Sequence, residues 1–145
     1  MPLIGQYEPS TWAGARDQVE LFEKSQGAEG NTLLGLPVVI ITTTGKSSGR
    51  LRKTPVMRVE RDGRYAAVAS MGGAPTNPGW YNNMKASPQV ELQDGTTRRD
   101  YSARELAGEE RETWWARAVE AFPGYADYQT ATSRKIPVML LEPLS

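Results

Sequence analysis

Apolar positions along this chain fall into runs of two kinds, and each predicts its own kind of element. Residues 37–44 (PVVIITTT) are β-branched almost throughout, which suits a pleated and largely buried strand. Glycine and serine at 45–49 predict a turn into a second strand over 51–60; Arg61, Asp62 and Gly63 make a hairpin, and 64–70 a third strand. With connections this short, the three strands are expected to pair in sequence as an antiparallel meander. A second hairpin is predicted from 89–93 and 97–106 around the dipeptide Asp94-Gly95, and the run IPVMLL at 136–141 reads as the last strand.

Helical spacing adds three short helices. Over 17–24, Val19, Leu21 and Phe22 stand among charges in an amphipathic helix ending near Gly27. Its polar face carries Asp17, Glu20 and Glu23 rather than lysine or arginine, which argues for packing on a core and against a membrane-surface role. Residues 80–86 predict a helix stopped by Ser87 and Pro88. Over 109–121, Glu109 and Glu110 occupy the first turn, where the helix dipole favours them, and Trp114, Trp115, Ala118, Val119 and Phe122 are spaced for one buried face. Pro123 stops this helix, and Tyr125 and Tyr128 fall on a further helical turn. The expected architecture is a single α+β domain over 1–145, with 1–30 as an N-terminal helical extension and about six mostly antiparallel strands in a barrel-like arrangement.

Charge changes this picture. Lys+Arg and Asp+Glu balance at 17 each, yet between Gly30 and Val90 the only carboxylates are Glu60 and Asp62. The same window holds Lys46, Arg50, Arg52, Lys53, Arg58, Arg61, Arg64 and Lys85, a local positive field suited to an anionic ligand. Histidine and cysteine are both absent. That removes the ordinary general base at neutral pH, thiolate chemistry and the commonest transition-metal ligands, so catalysis is expected to rest on a cofactor, with no metal. The absence of cysteine fits a reducing compartment, the N-terminus carries no secretory signal pattern, and the longest apolar run, 36–41, is too short to span a bilayer. A cytoplasmic location is the expectation.

Two tempting motifs each lack a residue that their chemistry needs. Gly45-Lys46-Ser47 resembles the end of a phosphate-binding P-loop, but the glycine required five residues earlier is Ile40, and the turn opens a strand. Gly45 to Gly49 also fits a G-x-S-x-G nucleophile elbow, which needs a histidine that the chain lacks. A basic strand edge has an ordinary reading as solvated surface that prevents edge-to-edge association. Strand alternation, however, lets Arg50, Arg52 and Thr54 line one wall with the turn amides at its end, a set of donors suited to phosphate or carboxylate. The Gly- and Pro-rich stretch 71–79 lets the backbone approach a flat ligand, and Trp80 offers either an aromatic face to that ligand or a core anchor.

Three segments carry a resemblance: TTTGKSSGRLRKTP at 42–55, SMGGAPTNPGWYNN at 70–83 and FPGYADYQTATSRKIPV at 122–138. They resemble the signature regions of the actinobacterial deazaflavin-dependent nitroreductase family, whose members bind the reduced 8-hydroxy-5-deazaflavin coenzyme, F420, in a split β-barrel. The resemblance covers roughly 36–143. It implies that Lys46, Ser47, Ser48, Arg52, Lys53, Thr54, Pro55, Val56 and Met57 hold the coenzyme's phosphate and polyglutamate tail or its ribityl chain. Val68, Ala69, Ser70 and Met71, with Gly79, Trp80, Tyr81, Asn82 and Asn83, would border the ring. Tyr125 and Tyr128 match paired tyrosines over the substrate pocket, and Ser70 a serine beside ring and substrate, so Ser70, Tyr125 and Tyr128 are the expected catalytic residues. Ser47 and Met71 depart from the family pattern, where basic residues are common, and Met57 stands where tyrosine can occur. The implied reaction is hydride transfer to an electron-poor small molecule: a quinone, an α,β-unsaturated ester or lactone, or a nitro compound. A flavin-mononucleotide oxidoreductase of related barrel type and a nucleic-acid-binding barrel are the alternatives, the latter disfavoured by overall neutrality.

Overall fold

The computed structural model describes residues 3–144. Eight strands form one sheet: β1 (Thr32–Leu33), β2 (Leu36–Thr44), β3 (Leu51–Met57), β4 (Glu60–Arg61), β5 (Arg64–Val68), β6 (Gln89–Asp94), β7 (Thr97–Glu105) and β8 (Val138–Pro143). Around it lie α1 (Ala13–Ser25), α2 (Gly79–Ala86), α3 (Gly108–Ala121) and α4 (Gly124–Thr130), plus a 3-10 turn at Met71–Gly73. Every strand pair is antiparallel and the sheet curls into the split barrel expected of the α+β reading. Among the described residues no helix is long and apolar enough to cross a membrane.

The unbroken apolar runs have a direct cause: strands β2, β5 and β8 are buried on both faces of the sheet. Val38 and Ile40 of β2, Ala66 and Val68 of β5, and Val138 and Leu140 of β8 face one core, which they share with Val19 and Phe22 of α1 and Trp114 and Ala118 of α3. The alternate residues Val39, Ile41, Tyr65, Ala67, Met139 and Leu141 face the other, which α2 closes with Met84. In α1 the buried positions are Ala15, Val19 and Phe22, one stripe of the helix, whereas Leu21 lies off that stripe and is 42% exposed. In α3 Trp114, Ala118 and the following Phe122 are buried as expected, and Trp115 and Val119 pack at the margin.

The meander forms only in part: the hairpin expected at Arg61, Asp62 and Gly63 is present as β4–β5, but β3 and β5 do not pair. Strand β3 pairs with β2, but β5 pairs with β8, and the sheet order runs β1-β2-β6-β7-β8-β5-β4. The second strand stops at Met57, not Glu60, because the chain turns a corner there: the Arg58 amide donates to the Pro37 carbonyl, and the Arg58 guanidinium donates to Asp94 at 2.8 Å. The last strand, apolar on both faces, takes the central place between β7 and β5, so the expected second and third strands meet only in the short β4–β5 hairpin and the Ala66 N–H bond to the Val59 carbonyl. The β6–β7 turn is also shifted by one residue: Asp94 pairs with Thr97, so Gly95 and Thr96 are its tip. Gly95 has φ +60° and Thr96 has no positive φ, the pattern of a type II′ turn, which wants glycine first.

Candidate active site

The basic hairpin is built around a tight turn. Gly45 N–H donates to the Arg50 carbonyl at 2.7 Å and Gly49 N–H to that of Gly45 at 2.9 Å. A Cβ on Gly45 would fall 2.6 Å from Ser48 Oγ and 3.1 Å from the Arg50 carbonyl oxygen, so any larger residue would have to displace both. Asn83 of α2 fastens the turn from below: its Oδ1 accepts from Lys46 N–H at 2.9 Å and its Nδ2 donates to Thr43 Oγ1 at 3.0 Å. Lys46, Ser47 and Ser48 are exposed at the mouth of a cleft of about 850 Å³, which Arg52, Lys53, Thr54, Asn82 and Asn83 also line.

Carboxylates from the N-terminal segment meet this charge. The stretch before α1 lies along β3, with Glu8 N–H donating to the Leu51 carbonyl and Leu51 N–H to that of Gln6. Glu8 thereby reaches Arg52 at 3.0 Å and Arg50 at 3.6 Å, while Glu23 of α1 pairs with Lys53. Lys46 makes no ion pair among the described residues. The positive field of the middle third is therefore partly balanced where it was expected to be open, and the residues that balance it come from the acidic flank.

A second, apolar lobe of about 530 Å³ continues from the first; the two share Trp12, Leu33, Pro55, Met71 and Trp80. Val56, Met57, Val68, Ser70, Phe122, Tyr125 and Tyr128 complete it. All three residues expected to be catalytic thus stand around one space. Their hydroxyls make no hydrogen bond among the described residues, and since no fully buried side-chain oxygen there lacks a partner, each keeps some exposure. Tyr125 packs edge-on against Phe122 at 4.9 Å and lies 6.4 Å from Tyr128, ring centre to ring centre. Burial, with the neighbouring Tyr128 adding to it, pushes the Tyr125 phenol well above its ordinary value.

The loop under Ser70 is held in a conformation that side chains resist. Met71, Gly72 and Gly73 have φ of +47°, +65° and +83°. A Cβ at Gly73 would stand 2.9 Å from the Tyr128 carbonyl oxygen and 3.2 Å from Ala131 Cβ. Gly73→Ala is expected to cost about 1–3 kcal/mol, combining the left-handed strain with the clash, and a thermal melt checks it.

Two expected ring neighbours lie elsewhere. Tyr81 points across α2, donating its hydroxyl to Glu105 at 2.6 Å, and Ala69 is fully buried, its carbonyl accepting from Arg134 at 3.1 Å. Helix periodicity separates Tyr81 from Trp80 by about 100°, which is why adjacent aromatics part company. Sequence reasoning missed Glu8, Trp12, Leu33, Leu34 and Phe122 as cleft residues. A signal existed for Trp12 alone: an indole in a polar stretch, 74% exposed in the fold, marks a surface with a purpose.

This donor set suits a coenzyme with an anionic tail and a flat ring, charged at one end of a single cleft and apolar at the other. The model of the F420H(2)-dependent quinone reductase family matches residues 14–143. The chain belongs to that family. An F420H(2)-dependent quinone reductase of Mycobacterium tuberculosis is 32% identical over 125 residues, covering 83% of this chain and 84% of its own. Among solved structures, an F420-H2 dependent reductase is 58% identical with a TM-score of 0.70, over 73% of this chain and 94% of that one. A further solved structure, described as a domain-swapped dimer, is 53% identical with a TM-score of 0.72, over 88% of this chain and 96% of that one. The protein is accordingly an F420-dependent oxidoreductase of the split-barrel type, and coenzyme F420 is its cofactor.

Proposed function

We propose that the cleft holds reduced F420 with its anionic tail at the basic hairpin and its ring in the apolar lobe, and that the acceptor is a quinone seated against Tyr125, Tyr128 and Phe122. The observation that carries this reading is the continuity of the charged and apolar lobes through Trp12, Pro55, Met71 and Trp80. Lys46, the Ser47 and Ser48 hydroxyls, Arg52 and Lys53 are the donors for the tail. Val68, Ser70, Met71 and Trp80 would flank the ring, with Val56 and Met57 behind it. When bound, the reduced coenzyme supplies a hydride, so the chain's own residues need only bind, orient and keep water from the reacting atoms. The aromatic wall of Phe122, Tyr125 and Tyr128 serves the last purpose, and the Ser70 hydroxyl would orient a carbonyl oxygen.

Reducing a quinone to a hydroquinone consumes the hydride and one proton, which goes to the single oxygen left anionic. A phenol whose proton is held more tightly than usual is a poor acid, so solvent is the proton source in this reading. Tyr125→Phe is then expected to leave kcat within about tenfold, short of the roughly 10²–10⁴ that removal of a general acid costs. Steady-state reoxidation of reduced F420 measures it; a loss beyond that range would make Tyr125 the proton donor. The reading as a whole is tested by titrating the protein with F420 and with FMN while following their absorbance, then mixing it with reduced F420 and a panel of a quinone, an unsaturated lactone and a nitro compound. Binding of FMN alone, or no reoxidation with the quinone, would overturn it.

A further inference from the structure

One guanidinium gathers most of the loop that carries Ser70. Arg134, in the connection between α4 and β8, donates through Nη2 to the Ser70 carbonyl at 2.8 Å and through Nε to that of Ala74 at 2.8 Å. Its Nη1 donates to the Ala69 carbonyl at 3.1 Å and to Asn77 Oδ1 at 2.8 Å. Four acceptors spread over nine residues of chain are thus tied to a single planar group, and these residues include the left-handed run at 71–73. Left to itself that run is strained, because only its glycines adopt positive φ freely. Arg134 is itself fixed by α4: Gln129 Nε2 donates to the Arg134 carbonyl at 2.8 Å, and Gln129 Oε1 accepts from Ile136 N–H at 3.0 Å.

Helix α4 also carries Tyr125 and Tyr128, so the linkage joins the two walls of the apolar lobe. We infer that Arg134, braced by Gln129, is a positioning residue for hydride transfer: it sets the Ser70 loop at a fixed distance from the tyrosine wall and so fixes the spacing of coenzyme ring and acceptor. The inference rests on the placement of the ring in this lobe. Lysine cannot substitute, since an ammonium offers one point of charge in place of a fork of donors. Lys135, adjacent in sequence, makes none of these contacts.

The test uses the full chain, first without coenzyme. In Arg134→Ala, hydrogen exchange at Gly73 and Ala74 is expected to accelerate about tenfold or more, because their N–H groups bond to Ser70 and Met71 carbonyls within the loop that Arg134 holds. Millimolar guanidinium, far below the molar range that unfolds proteins, should restore protection by refilling the vacated site. With reduced F420 and a quinone, kcat is expected to fall about ten- to a hundredfold, while the coenzyme Kd moves far less because the tail's anchors lie in the other lobe. Guanidinium should recover kcat; Arg134→Lys should not. Gln129→Ala, which keeps the guanidinium but frees its backbone, should give an intermediate loss and serves if Arg134→Ala fails to fold. Unchanged exchange in the loop, turnover within twofold of the parent, or a folded variant whose lost turnover guanidinium leaves unrestored would each overturn the inference. A parent protein that does not reoxidise F420 would instead sink the coenzyme reading, and the exchange measurement would still decide the role of Arg134.

Discussion

Replacing Arg52 by Ala is expected to weaken binding of reduced F420 by about ten- to a hundredfold, the effect of losing one charge-assisted hydrogen bond from a partly shielded site. The loss should exceed that of any other single cation on the hairpin because of Glu8. Its carboxylate lies 3.0 Å from Arg52 and 3.6 Å from Arg50, at the end of the cleft where the coenzyme's own anions would sit. With Arg52 present, the carboxylate tempers the site; with Arg52 gone, it is a repulsive charge facing the incoming tail. Glu8→Gln is therefore expected to tighten binding, and the Arg52→Ala, Glu8→Gln double variant to recover part of what Arg52→Ala lost, a coupling that a double-mutant cycle reads directly. Added salt should compress all these differences, since the pair is about one-third exposed. Arg99, exposed on β7 away from the cleft, is the control. Equal losses at Arg52 and Arg99 in a fluorescence titration would mean that the hairpin is not the tail site.

The pairing of Arg52 with Glu8 also shows where sequence reasoning stops. The clustering of cations at 46–53 is legible because it is local, and so are the glycines that make its turn. Their partners are not, because Glu8 and Glu23 arrive from segments about thirty to forty residues away, and nothing in their own surroundings marks them. The same division holds for the sheet. That PVVII and IPVMLL are buried strands follows from their composition, yet a strand buried on both faces has no polar side to fix its neighbours, so the meander was as consistent with the pattern as the observed β5–β8 pairing. Arg134 and Lys135 are indistinguishable as letters, and only the path of the chain after α4 aims one of them at the Ser70 loop. Arg111 is a sharper case: in a helix that begins Glu109-Glu110 it reads as solvated, but it is 6% exposed and donates to the Ile136 carbonyl at 2.6 Å. It supports the same α4–β8 connection from the α3 side, so the connection that positions Arg134 is held from two helices.

Stability is expected to stay level from about pH 6 to 9 and then to fall steeply above about pH 10. The level region follows from composition: with neither histidine nor cysteine, no side chain of ordinary pKa titrates there. The steep region follows from the tyrosines. Burial raises the phenols of Tyr7, Tyr65, Tyr101 and Tyr125, with the Asp94 carboxylate that accepts the Tyr65 hydroxyl at 2.6 Å adding to its rise, and burial together with the hydrogen-bonded Glu105 carboxylate pushes Tyr81 up to about 12. Below about pH 10 both the folded and unfolded chains keep these protons, and the contribution to stability is complete. Above it the unfolded chain releases them while the folded chain does not, so the folded state binds more protons and loses ground as pH rises. Each phenol that keeps its proton then costs up to about 1.4 kcal/mol per pH unit, set against the roughly 5–15 kcal/mol that holds a domain folded. Tyr125→Phe should reduce this slope by about one proton without altering the level region. Urea unfolding at intervals between pH 8 and 11 measures both; an unchanged slope in the variant would mean that Tyr125 ionises in the folded protein as readily as in the unfolded chain, and that the apolar lobe is open to water at its hydroxyl.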